Sequence, residues 1–177
     1  ARAENKSENS SPTLERLSFL KKKWAEFAFP DLDPYDANID IFERGMRMEY
    51  ITPIFDKIKK KLIPLIENIG KSSNSTDAGF LEGDFSIAKQ KKLGRSISQD
   101  IGFDYDRGRM DVSVHPFCGG GHPTDVRITT RYNTDNFIDS LFAVIHETGH
   151  GLYEQGRMPS FLDLPVSKSI SMGINES

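Results

Sequence analysis

His146-Glu147-Thr148-Gly149-His150 reads H-E-x-x-H, and it sits in an amphipathic run, residues 136–155, with helical spacing. On a helix, positions i and i+4 share one face, so the two imidazoles converge on a point. That point suits Zn²⁺ or a related divalent ion. Glu147, directly after the first histidine, is placed to take a proton from a water held at such an ion. Phe137, Leu141, Phe142, Val144 and Ile145 give the same run an apolar back, which would hold the two ligands on a rigid element. Two imidazoles leave the ion under-coordinated. A structural site would add two protein ligands, whereas a catalytic site adds one and keeps a position for water.

Glu176 is the candidate third ligand. It lies 26 positions after His150 (176 − 150 = 26), on a segment read as a further helix beginning near Val166 or Ser167, which can return antiparallel after a loop at 156–165. The set would then be His146, His150 and Glu176. Two plainer readings stand beside it: a surface carboxylate for Glu176, and a chance match for H-E-x-x-H on a charged helix.

Upstream of the helix the pattern changes to alternation. Residues 110–117 and 125–132 are β-favouring and flank Cys118-Gly119-Gly120-Gly121-His122-Pro123, which reads as the turn of a hairpin beside the metal helix. Val126, Ile128, Thr130 and Tyr132 would share one face of the second strand; Asp125, Arg127, Thr129 and Arg131 would share the other. Arg127 and Arg131 then point to one side, and a guanidinium fork can grip a peptide's terminal carboxylate. The alternative is two exposed arginines pairing with Asp125 or Asp135. His115, held extended by Pro116, is a candidate donor to a developing oxyanion, although a lone histidine is more often structural. Cys118 has no Cys-His-Asn companions and reads as a neighbour of the glycine turn.

The remaining sequence is helical. Residues 1–11 are polar and read as a disordered end. Helices are expected over 12–29, over 39–50, and from Pro53, where Ile54, Ile58, Leu62, Leu65, Ile66 and Ile69 form a stripe with a kink at Pro64. A loop follows at 71–79, then a helix capped by Asp84 and stopped by Gly102. The net charge of −3 and the confinement of lysine clusters to amphipathic segments argue against a nucleic-acid partner. No apolar stretch is long enough to span a bilayer. The single cysteine excludes an intrachain disulfide framework and fits a reducing, cytoplasmic setting. With no initiating Met, and with residues 169–177 reading as helix without a stop signal, the chain is expected to be a piece of a longer protein, residues 12–177 being part of a catalytic domain truncated at its C-terminus.

Four blocks in order and spacing carry a resemblance: His115-Pro116-Phe117, Asp125-Val126-Arg127-Ile128-Thr129, His146-Glu147-Thr148-Gly149-His150 and Asn175-Glu176-Ser177. Over residues 110–177 the chain resembles the M32 metallocarboxypeptidases, the thermostable carboxypeptidase Taq family. The resemblance implies a mainly α, gluzincin-type metallopeptidase with a small β-hairpin beside the H-E-x-x-H helix, homodimeric when full length, removing single residues from the C-termini of peptide substrates. It implies His146, His150 and Glu176 as ligands of one divalent ion, Zn by default and Co or Mn as alternatives, with Glu147 as general base and Arg127 near the substrate carboxylate. The fourth block departs from the family's usual His-Glu-Ser, because Asn175 stands where the histidine would be. Two other readings remain open: a non-catalytic helical protein with a structural metal site, and a gluzincin aminopeptidase or endopeptidase.

Overall fold

A computed structural model describes residues 8, 10–73, 78–81 and 83–176. The fold is mainly α with one small sheet, and the chain divides into two compact units. The disordered end expected at 1–11 falls mostly on residues 1–7 and 9, outside the described residues.

The unit Asn74–Lys168 holds the H-E-x-x-H helix. Its first helix, α4 (Ile87–Ile101), follows Ser86 rather than the expected Asp84. It ends as expected at Gly102, whose φ of +120° suits a residue without Cβ. (Helices α1 to α3 precede it in the chain and are described below.) Three strands follow: β1 (Gly108–Val112), β2 (Cys118–His122) and β3 (Asp125–Thr130), in the order β1-β3-β2. Here the sequence reading needs correction. The expected glycine turn is itself a strand, β2, which pairs antiparallel with β3, while β1 pairs with β3 in parallel. Glycine serves a bulge rather than a chain reversal. The β2–β3 register slips between Gly119 and His122, Gly120 sits at φ +132°, and a Cβ there would lie 2.1 Å from the carbonyl oxygen of Asp125. The reversal falls to Pro123 and Thr124. The alternation expected on β3 is present at Val126, Ile128 and Thr130, all buried, but the strand stops at Thr130 and leaves Arg131 and Tyr132 outside it.

Helix α5 (Ile138–Gln155) packs across β3 and β2 and against α4. Asn136 begins it, accepting hydrogen bonds from the backbone N–H groups of Ile138 (2.9 Å) and Asp139 (3.3 Å). Buried amides then tie both ends. Gln90 of α4 donates to the carbonyls of Phe85 (2.7 Å) and Asn133 (2.8 Å) and accepts from Ser140 (2.9 Å). At the other end Gln155 clasps the backbone of Asp104, accepting from its N–H (3.0 Å) and donating to its C=O (2.8 Å). Between the two ties, Phe103, Val126 and Ile128 form the core on which α5 rests.

The second unit comprises Ala1–Ser73 and Ser169–Ser177. Helices α1 (Ser11–Ala28) and α2 (Pro34–Phe42) pack on each other, each with a single buried residue, Ala25 and Ala37. Asp33 caps α2, accepting from the N–H of Tyr35 (2.8 Å). The helix expected over 39–50 is broken: α2 ends at Phe42, the chain turns through Gly45 at φ +82°, and α3 (Met48–Lys71) begins. Asp40 fixes that turn, accepting from Gly45 N–H (3.0 Å) and pairing with Arg47 (2.7 Å). The Arg47 hydrogen bond, followed by that of Gly45, holds the Asp40 carboxyl below its ordinary range. Helix α3 runs through Pro53 and Pro64, so Pro53 does not open it. Its apolar stripe is present, yet none of its residues is buried. The last expected helix is much shorter than its pattern. Pro165–Ser167 is a single 3₁₀ turn, and only Met172–Asn175, α6, is α-helical.

Gly151 sets how closely α5 lies on the sheet. A Cβ there would sit 2.7 Å from Cε2 of Phe103 and 3.2 Å from Cγ2 of Ile128, both buried. Gly151→Ala is expected to destabilise the fold by about 1–3 kcal/mol through overpacking. Urea denaturation followed by far-UV circular dichroism checks it; an unchanged midpoint would mean that α5 is not in this contact.

Candidate metal centre

The geometry of α5 brings the two histidines together. The Nε2 atoms of His146 and His150 are 3.1 Å apart, with ring centroids 4.6 Å apart and planes nearly perpendicular. Two nitrogens bound at about 2.0–2.1 Å to one tetrahedral ion sit roughly 3.3 Å apart. The pair therefore fits a shared divalent ion with an adjustment of a few tenths of an ångström, on the more exposed side of the helix. Val144, Thr148 and Gly151 are buried on the other side. Glu147 belongs to the buried set at 6% exposure and lies three residues before His150, one helical turn away. The ties of Gln90 and Gln155 on either side of this turn fix where it points.

Cys118, on β2, reports the electrostatics beside Glu147. Its thiol is pushed up to about 11, first by burial and then by the negative charges of Glu147 and Glu154. A thiol so raised stays protonated at neutral pH and is a poor nucleophile, which agrees with the absence of Cys-protease companions in the sequence.

His115, Arg127 and Arg131 are placed differently. His115 lies exposed in the link between β1 and β2, where its Nδ1–H donates to the Pro116 carbonyl (2.6 Å). Arg127 occupies the face of β3 opposite Val126 and Ile128, hence away from α5, and Asp125 engages it through two hydrogen bonds of 2.9 and 2.8 Å. That is the surface pairing the sequence left open as the alternative. Arg131 lies exposed beyond the end of β3. Glu176 follows α6 in the other unit, as that helix's C-cap residue, and is exposed.

Three residues that pattern reading did not single out carry the scaffold. Gln90 has no motif around it, and Gln155 closes the run that carries H-E-x-x-H. Thr129, the last residue of the Asp125–Thr129 block, is buried and holds the His115-Pro116-Phe117 block: its Oγ1 accepts from Phe117 N–H (2.8 Å) and donates to Phe117 C=O (3.1 Å), beside a backbone bond of 2.9 Å. A polar residue on a face expected to be solvated is the one signal that could have found it.

Two outcomes follow from these contacts. Thr129→Val keeps the shape and removes both side-chain bonds, so the Phe117 amide should exchange with solvent at least about tenfold faster, on the order of 1–2 kcal/mol of lost protection. Unchanged exchange by NMR would show that the backbone bond alone holds the loop. Cys118 in the metal-free protein should alkylate with iodoacetamide at pH 8 about a hundredfold more slowly than in urea, since about 11 against 9.0 is two orders of magnitude in thiolate fraction. Because its folded pKa is raised, the thiol's contribution to stability is complete below pH 9 and is lost as pH rises through about 11.

Comparison with known proteins agrees with this arrangement. The sequence pattern of the Carboxypeptidase Taq (M32) metallopeptidase family matches residues 1–177. The chain is 38% identical to Carboxypeptidase 1 of Bacillus subtilis, over 94% of this chain and 33% of that protein. It is 37% identical to Thermostable carboxypeptidase 1 of Thermus thermophilus, over 94% of this chain and 34% of that protein. The crystal structure of the M32 carboxypeptidase from Deinococcus radiodurans superposes with a TM-score of 0.84 at 35% identity, covering 99% of this chain and 35% of that one. The chain thus spans about a third of the length of the relatives it matches. A match along its whole length, with both histidines of H-E-x-x-H converging on one helical face, places this chain in the carboxypeptidase Taq (M32) metallopeptidase family.

Proposed function

We propose that the protein of which these residues form a part is a metal-dependent carboxypeptidase that releases single residues from peptide C-termini, and that residues 12–177 contribute to its catalytic domain. The observation that carries this reading is the His146–His150 pair on an anchored helix, with Glu147 between them in sequence. His146 and His150 would hold one divalent ion with Glu176 as the third ligand, and Zn²⁺ suits a two-imidazole, one-carboxylate set, with Co²⁺ or Mn²⁺ as alternatives. When bound, such an ion supplies Lewis acidity, making water more acidic and a scissile carbonyl more electrophilic. Support for Glu176 comes from its position in the Asn175-Glu176-Ser177 block and from family membership.

Glu147 does the proton work in this proposal. Its carboxylate accepts the proton of the attacking water as the water's oxygen bonds to the scissile carbon, and returns it to the leaving amine nitrogen as the C–N bond breaks. Glu147 is buried, at 6% exposure, next to the Cys118 thiol whose pKa its charge helps to raise. With its Nδ1–H engaged by the Pro116 carbonyl, a neutral His115 presents Nε2 as an acceptor and would have to give up that bond to donate to an oxyanion; Arg127 would have to leave Asp125. A homodimer and a cytoplasmic setting belong to the same proposal; among the described residues no helix is long and apolar enough to cross a membrane.

Glu147→Gln in the full-length protein is expected to retain the metal and to lose activity by at least about 10²–10⁴-fold, since the amide cannot accept the proton. His146→Ala should lose the metal as well. Metal content by atomic spectroscopy, run beside release of the terminal residue from a blocked dipeptide, separates the two. Near-normal turnover by the glutamine variant would remove Glu147 as the base.

A further inference from the structure

Helix α6 has four residues, too few to hold themselves in helical form. Dense packing does not supply the missing order either, because an apolar cavity of about 520 Å³ lies beside it, lined by Met46, Ile51, Ile54, Phe55 and Ile174. Polar contacts fix it instead. Ser171, at its N-cap, accepts from Ile174 N–H (3.1 Å). Glu43, from 130 positions earlier in the chain, accepts from Gly173 N–H through Oε2 (2.9 Å). Glu43 is itself held firmly. It is the C-cap of α2, its N–H donates to Ile39 C=O (2.9 Å), and its own C=O accepts from Met46 N–H (3.0 Å) inside the turn clamped by Asp40 and Arg47. Gly173 makes room for the contact: a Cβ there would lie 2.8 Å from the same Oε2.

We infer that Glu43 is a positioning residue for Glu176, setting through the Gly173 N–H the turn from which the Glu176 carboxylate projects; the inference rests on the reading of Glu176 as a metal ligand. Glu43 acts on where α6 starts, and Glu176 is the residue at its end, with its N–H donating to Met172 C=O (2.9 Å). Outer partners that orient a ligand commonly change metal affinity by about 10–100-fold when removed.

The test is Zn²⁺ affinity of the full-length protein, by competition with a chromophoric chelator, for Glu43→Ala, Glu43→Gln, Gly173→Ala and Glu176→Gln, with kcat and KM for a blocked dipeptide. Glu43→Ala should bind Zn²⁺ about 10–100-fold more weakly and lose kcat with little change in KM. Glu43→Gln keeps an acceptor oxygen and should restore most of the affinity. Gly173→Ala leaves Glu43 in place, favours helix, and should reproduce the loss by displacing the carboxylate; it carries the test if Glu43→Ala folds poorly. Zn²⁺ affinity within twofold of wild type for both Glu43→Ala and Gly173→Ala, with Glu176→Gln weakened, would overturn the positioning role while leaving Glu176 a ligand. Unchanged affinity in Glu176→Gln would overturn the ligand reading and this inference with it.

Discussion

The contact of Gly151 with Phe103 and Ile128 is the constraint on which the histidine-bearing unit depends. It lets α5 lie on the sheet with no side chain between, and everything on the helix is then oriented by that one face. Glu147 and Thr148 turn inward with it, and the histidines come to the margin. A helix resting on an apolar surface can still slide or roll, and apolar burial alone does not prevent this, being non-directional. The clasps of Gln90 and Gln155 supply the direction. Each is a buried amide with its hydrogen bonds satisfied by specific backbone groups, so any shift of α5 along its axis leaves a polar group unpaired, at about 1–3 kcal/mol for each. Such a device holds the face that carries His146 and His150 in one orientation relative to the sheet.

The electrostatics of the same region are those of an anionic, partly buried place. Cys118 senses it: after burial, the causes that raise its pKa are the charges of Glu147 and Glu154. Glu154 is partly answered by Arg157, which pairs with it at 2.7 Å. A dication is the largest local charge wherever it binds, and one held near Glu147 would offset the negative field that raises the Cys118 thiol.

What could be read from the sequence was what local spacing controls. The H-E-x-x-H pair converges because i and i+4 share a helical face in any helix. The alternation Val126, Ile128, Thr130 showed which side of β3 is buried, and Gly102 marked a helix end because its backbone angle excludes most other residues. What could not be read depended on partners far along the chain. Three consecutive glycines spell a turn by propensity, yet they form β2, because β3 offers an edge to pair with and a bulge that only glycine can make. Pro53 lies inside α3, where propensity alone would have put the helix's start. The break at Gly45 went unread because Ile41, Phe42, Met46 and Tyr50 keep a helical rhythm straight across it. Arg127 and Arg131 were placed on one strand face by counting, and the strand's end at Thr130 separates them.

The shortness of α6 is the clearest case of tertiary control. Its sequence, Met172-Gly173-Ile174-Asn175, has a glycine at its second position and no run long enough to nucleate, so in isolation it would not be helical. Ser171 supplies the local capping contact, which a sequence reading could have proposed. Glu43 supplies the distant one, and no spacing rule connects residues 130 positions apart. The block Asn175-Glu176-Ser177 is thus short in sequence but long-range in its structural basis. Asn175 stands within it where the family usually has a histidine, so this chain keeps a hydrogen-bonding amide at a position that does not titrate. The turn is ordered by two side-chain acceptors: Ser171, which takes the Ile174 N–H, and Glu43, which takes the Gly173 N–H from 130 positions away.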